Sequence, residues 1–213
     1  MQPIGEFLTG YRLKLANLQD FVLGIIYDKI DPTALLYGDT AIWRCYGGQR
    51  FSEDIDIYMR NNLLEEFINL LPKYGLKLTW RNNEFPSNVR IDNRDTSLLL
   101  ESKEGNAESI IKPYFRVDGS PMTIGVLSPT ELLTRKIEAY NGRRLIRDIY
   151  DIYILTRFLD PNDYTVKTRL SGFLNDISEP FDEGILSSLI YSGNSNLNFS
   201  IMLEYIKRWL DEI

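Results

Sequence analysis

The sequence predicts an α+β fold: a mixed sheet flanked by helices through residue 127, followed by a helical bundle over residues 128–213. Three observations predict it. Before residue 128, helix-period segments are interspersed with short runs of strand character. After it, only helix-period segments occur. The change coincides with a helix-start signal, Ser128-Pro129-Thr130-Glu131, with Ser at the N-cap, Pro at the first helical position and Glu at the third.

Taken in order, residues 11–30 place Leu13, Leu15, Leu18, Phe21, Val22, Ile25 and Ile26 near helical spacing, and Asp31-Pro32 stops that helix. A short apolar run, Leu35-Leu36-Tyr37, ends at Gly38. Residues 40–46 read as a short helix closed by Gly47-Gly48. In Asp54-Ile55-Asp56-Ile57 the alternation is that of a strand. Residues 62–74 form an amphipathic helix that Pro72 shortens. The stretches 76–80, 96–101 and 109–117 read as a meander of antiparallel strands joined by polar loops. In the second part, a helix from Ser128 is expected to break at Asn141-Gly142. A second helix covers 144–158, ahead of Pro161. Residues 163–213 read as mostly helical, with a Gly/Ser/Asn interruption at 192–198.

Composition removes several function classes. The chain has 213 residues, no histidine and one cysteine, Cys45. Internal disulfides, Ser-His-Asp and Cys-His catalysis, and His- or Cys-based metal sites are therefore excluded. Acid–base or metal chemistry must come from carboxylates, Lys or Tyr. A reducing, cytoplasmic setting is expected. The formal net charge is −6 and the pI about 4.9. That balance argues against a broad DNA-duplex footprint, because phosphate neutralisation dominates such binding. No apolar run approaches membrane-spanning length, and the N-terminal stretch does not read as a secretory leader.

One feature carries chemistry. Residues two apart in a strand share a face, so Asp54 and Asp56 present two carboxylates roughly 6–7 Å apart along the chain. Mg²⁺ is commonly held by one or two carboxylates plus substrate phosphates. Taken alone, such a pair is equally the wet face of an edge strand. Gly38, one short helix earlier, adds a turn at which backbone N–H groups can approach phosphate. Arg50 and Ser52 lie just before the acids.

The stretch LLYGDTAIWRCYGGQRFSEDIDIYM, residues 35–59, resembles the signature of the AbiEii/AbiGii-type nucleotidyltransferase toxins, within the DNA polymerase beta-like superfamily. The matching residues are Gly38, Thr40, Ala41, Arg50, Phe51, Ser52, Asp54 and Asp56. LSPTELLTRKIEA, residues 127–139, is similar to the family's lysine-bearing helix, with Lys136. Arg147-Asp148-Ile149-Tyr150-Asp151 resembles its Arg-Asp-x-x-Asp segment. The resemblance implies a nucleotidyltransferase-like sheet and transfer of a nucleoside monophosphate from an NTP to an acceptor such as tRNA or another RNA. It implies Mg²⁺ or Mn²⁺ on Asp54 and Asp56, and nucleotide contacts from Gly38, Thr40, Arg50, Ser52 and Lys136. Asp148 would orient Lys136 or the acceptor. An antitoxin protein is the implied partner. On structure alone, Lys136 reads as a helix-surface lysine and Asp148 as half of a buried Asp–Arg pair; Asp151, Arg143 and Arg144 read as structural.

Two departures stand out. Asp39 occupies a position where the family has Gly or Ser. A rough matching over residues 111–116 puts Lys112 where the superfamily carries a third carboxylate, with Glu101 and Asp118 as substitutes. They motivate the alternative expectation: a catalytically degenerate nucleotide- or protein-binding module on the same fold.

Overall fold

The computed structural model describes residues 3–82, 84, 86–192 and 196–211. They form two compact units: residues 1–45 with 51–127, and residues 46–50 with 128–213. The sequence-based division at 127/128 left residues 46–50 in the first part; the structure groups them with the second unit.

In the first unit, α1 (Gly10–Ile25) runs into a π-helical turn at Ile26–Ile30. Leu15, Leu18, Val22, Leu23, Ile25 and Ile26 are buried along its inner stripe. Asp31 leaves helical geometry and its Oδ1 accepts from the Thr33 N–H and hydroxyl, closing the turn before Pro32 can continue the helix. Then follow β1 (Leu35–Tyr37), α2 (Gly38–Cys45), β2 (Asp54–Tyr58) and α3 (Asn61–Leu70). After α3, Pro72 sits in a single 3₁₀ turn that ends at Gly75, φ 71°. Five strands complete the unit: β3 (Lys77–Arg81), β4 (Ser87–Asn93), β5 (Thr96–Lys103), β6 (Ser109–Phe115) and β7 (Pro121–Leu127).

The seven strands form one mixed sheet in the order β3-β4-β5-β2-β1-β7-β6. Only β3-β4-β5 is an antiparallel meander; β2 pairs with β5 in parallel, and β6 pairs with β7 on the opposite edge. The expected single meander is thus corrected, because β4 and β7 escape the sequence reading. In β4 the apolar alternation is brief, Val89 and Ile91 among Asn, Arg and Asp. In β7, Pro121 and Gly125 resemble loop residues. Pro121 stands at the strand's first position, where no ladder N–H is missed. At Gly125 a Cβ would meet Ala34 O at 3.0 Å, so this strand can approach β1 only without a side chain there.

One face of the sheet is closed by α1 and α2, which also touch each other through Arg44 and Asp20. Ile55, Ile57, Val89, Ile91, Leu98 and Leu100 on that face are fully buried. Each contributes about 1.5–3 kcal/mol of apolar burial. The alternate residues on the other face, Asp54, Asp56, Leu99, Glu101 and Lys103, are half-buried.

In the second unit, α4 (Pro129–Arg143) begins as the sequence dictates: Ser128 Oγ accepts from the Glu131 N–H at 3.2 Å. It does not break at Asn141-Gly142. A glycine inside a helix costs only about 1 kcal/mol, and the helix ends instead at Arg144, φ 50°, whose guanidinium Nε donates to Glu179 O at 3.0 Å. Helices α5 (Ile146–Leu155), α6 (Tyr164–Asp176), α7 (Leu186–Leu189) and α8 (Phe199–Asp211) follow. In the expected interruption at 192–198, Gly193, Asn194 and Ser195 lie outside the described residues. Among the described residues, no helix is long and apolar enough to cross a membrane.

Candidate functional site

The acid pair is built at the end of β1. Gly38 has φ +71°, a left-handed conformation that favours glycine, and a Cβ there would overlap the Asp56 carboxylate. The backbone at the start of α2 therefore lies directly against Asp56, with Tyr37 its register partner on β1. Gly38→Ala is expected to cost at least about 1–2 kcal/mol from the left-handed backbone alone, with the side-chain overlap added. A urea titration that matched the native midpoint would contradict this geometry.

The strand bearing the acids is pinned from the helix side. Thr40, fully buried, places its hydroxyl 2.6 Å from Asp54 O and 2.8 Å from Ser52 Oγ. The Ser52 hydroxyl lies 3.2 Å from Asp54 Oδ1. Gln19 on α1, also fully buried, donates from Nε2 to Ser52 O at 2.9 Å and to Asp54 O at 3.4 Å. Thr40 and Ser52, expected at the phosphates, direct these hydroxyls to the Asp54 strand. Thr40→Val keeps the shape and removes the hydroxyl, so it is expected to destabilise by about 1–3 kcal/mol; an unchanged urea midpoint would show that these bonds hold nothing in place.

Beside Asp56 on the same face stands Glu101, its parallel-ladder partner on β5. This corrects the matching of Lys112: β6 lies at the far edge of the sheet, and β5 is the strand that flanks β2. Tyr37 donates its hydroxyl to Glu101 Oε1 at 2.5 Å, and Lys103 Nζ lies 3.5 Å from the same oxygen. Burial, followed by the carboxylates of Glu101 and Asp56, pushes the Tyr37 phenol far above its usual range. Among the described residues, no group of three or more Asp, Glu, Cys or His is gathered for a metal. Asp54 and Asp56 offer two carboxylates on one face of β2, a donor set whose chemistry suits Mg²⁺. Asp39 lies in the first turn of α2, half-buried, where its charge is favoured by the helix dipole.

Within the second unit, a charge network forms around α4 and α5. Asp151 takes both arms of Arg50, Nη2 at 2.8 Å and Nε at 3.3 Å, and the Lys136 Nζ at 2.6 Å. Asp148 lies 3.4 Å from Lys136 Nζ and is forked by Arg143, at 2.8 and 2.7 Å. Arg50, Lys136, Asp148 and Asp151 are all at least 95% buried. Arg50, Lys136 and Arg143 thus meet on the two carboxylates of Asp148 and Asp151. The structure brings together Lys136, Asp148 and Arg50, and adds Asp151 and Arg143, which in the sequence alone read as structural or peripheral. It collects Gly38, Thr40, Ser52, Asp54 and Asp56 in the first unit. Gln19 and Tyr37 were missed: a glutamine on an amphipathic helix and a tyrosine in an apolar run carry no pattern of their own.

An acid-pair strand following a glycine turn, on one face of a mixed sheet, is the arrangement of a nucleotidyltransferase fold. The model of the nucleotidyl transferase AbiEii toxin family, of type IV toxin–antitoxin systems, matches residues 24–176, and the chain belongs to that family of nucleotidyltransferase toxins. Among solved structures, it is similar to MenT4, a nucleotidyltransferase toxin from Mycobacterium tuberculosis H37Rv. The two share 14% identity at TM-score 0.64, over 93% of this chain and 82% of that one. It is also similar to JHP933 from Helicobacter pylori, with 21% identity, TM-score 0.64, and coverage of 96% and 95%. ANT(2")-Ia, solved with adenylyl-2"-tobramycin, matches at 13% identity and TM-score 0.53, over 76% of this chain and 98% of that one. A search of curated protein sequences found no match.

Proposed function

We propose that the protein transfers a nucleoside monophosphate from an NTP to an acceptor hydroxyl, releasing pyrophosphate, as the metal-dependent toxin of a toxin–antitoxin pair. The observation that carries this is the Gly38–Asp56 contact: the turn that opens α2 lies against one of two carboxylates sharing a face. Asp54 and Asp56 would hold Mg²⁺ or Mn²⁺, which neutralises triphosphate charge and lowers the acceptor's pKa. The backbone at Gly38 would take phosphate oxygens, helped by the N-terminus of α2. Thr40, Ser52 and Gln19 act as positioning residues that fix the acid strand. Lys136 would offset phosphate charge, with Asp148 and Asp151, which hold its ammonium at 3.4 and 2.6 Å, orienting the lysine. With no histidine available, a carboxylate takes the acceptor proton. The proposed acceptor is an RNA, with tRNA the first to test, and the proposed setting is the cytoplasm.

The test is incubation of the purified chain with α-labelled NTPs and a total RNA pool. Label should enter RNA with the native chain and not with the Asp54→Asn/Asp56→Asn double variant. No transfer by the native chain, where a control enzyme transfers label, contradicts the proposal. The hold of Tyr37 and Lys103 on Glu101 favours a second reading, a nucleotide-binding module without turnover. It predicts NTP binding in calorimetry with no labelled product.

A further inference from the structure

The acid-pair face of the sheet continues outward from the acids across β5, β4 and β3, with one register shift, between Leu78 and Trp80. Asp54 pairs with Leu99, Leu99 with Arg90, and Arg90 with Trp80. The next row runs from Tyr37 through Asp56 and Glu101 to Asn88. Directly paired residues share a face, and neighbouring strands lie about 4.8 Å apart, so Arg90 and Trp80 stand roughly 10 and 14 Å from Asp54 in one line. Both are exposed, Trp80 by 49%. Lys77 is exposed on the same face, opposite Asp92. Arg81 is instead tied to Glu65 at 2.6 Å.

Trp80 reaches this face through a bulge. Leu78 pairs with Ile91, a helix-side residue, and the register shifts before Trp80 pairs with Arg90. In an unbroken strand, Trp80 would share the side of Leu78. One extra residue, Thr79, re-aims the indole toward the acid-pair face, a known use of bulges beside active sites.

We infer that Trp80 and Arg90 form a platform for an unpaired stretch of acceptor nucleic acid. A base stacks on Trp80 while the adjoining phosphates meet Arg90 and Lys77, and the strand's terminal hydroxyl is led along the row to Asp54 and Asp56. A flat aromatic ring next to a cation suits single-stranded nucleic acid, where every base offers a π face. A small acceptor at Asp54 would not span the roughly 14 Å to Trp80, and a polycationic one would be repelled by Arg90 and Lys77. The inference rests on the nucleotidyl-transfer reading for the role of the platform, but its binding step can be measured alone.

The experiment is fluorescence anisotropy of a labelled single-stranded RNA oligonucleotide, with a DNA oligonucleotide of equal sequence and a duplex as further arms, all without NTP. Trp80→Ala is expected to weaken RNA binding about tenfold or more, and Trp80→Phe to retain most of it, since stacking is worth about 1–3 kcal/mol per base. Arg90→Ala should weaken binding and lower the salt-dependence slope by about one phosphate contact. Lys29→Ala, on the helix side, should bind as the native chain does. Unchanged affinity in both Trp80→Ala and Arg90→Ala, preference for the duplex, or no oligonucleotide binding by the native chain overturns the platform. Trp80-dependent RNA binding without label transfer would instead leave the platform standing and count against the transfer chemistry.

Discussion

Asp151→Ala is expected to destabilise the chain by about 3–5 kcal/mol, the cost of leaving buried charge unpaired. Asp151 is 1% exposed and takes three close contacts from two cations, Arg50 and Lys136. Asp148 compensates only in part, because it lies 3.4 Å from Lys136 and both of its oxygens also take Arg143. At about 2–4 °C per kcal/mol for a chain of this size, thermal unfolding should shift down by roughly 6–20 °C. Asp148→Ala should behave more mildly, because Arg143 is 40% exposed at its side chain and can turn to water. A midpoint for Asp151→Ala within a degree of the native one would show that the network is not a unit.

Asp54→Asn/Asp56→Asn is expected to reduce transfer by about 10²–10⁴-fold, because charge stabilisation by a bound metal is worth several kcal/mol and each 1.36 kcal/mol is tenfold. The fold should survive. Both side chains are half-buried and the helix-side pins at Asp54 fall on its backbone carbonyl, which asparagine keeps. Circular dichroism should match the native chain, and EDTA should abolish transfer by the native protein. Native-level label transfer by the double variant would place the metal site elsewhere.

How much of this was legible beforehand depended on whether a residue's partner lay nearby in sequence. The Ser128 cap, the Asp31-Pro32 stop and the Asp54–Asp56 alternation are set within four residues, and the structure has them where local rules put them. The long-range pairings were not legible. Nothing near Glu101 says that it will stand beside Asp56, because the parallel β2–β5 ladder joins residues some forty-five positions apart. The same holds for Asp151 and Arg50, paired across a separation of 101 residues. From its place in Arg147-Asp148-Ile149-Tyr150-Asp151, Asp151 reads as structural or peripheral, and Arg50 reads as a nucleotide contact. Trp80 was read as an ordinary strand residue, since a bulge is a property of the pairing of two strands.

The central claim is that Asp54 and Asp56 are the metal side of a nucleotide site opened by Gly38. Electron paramagnetic resonance of Mn²⁺ with a non-hydrolysable NTP analogue tests it without relying on turnover or on the acceptor. The native chain should bind Mn²⁺ together with the analogue, and the bound signal should disappear in Asp54→Asn/Asp56→Asn while the fold remains intact. An undiminished Mn²⁺–nucleotide signal in that variant would contradict the account.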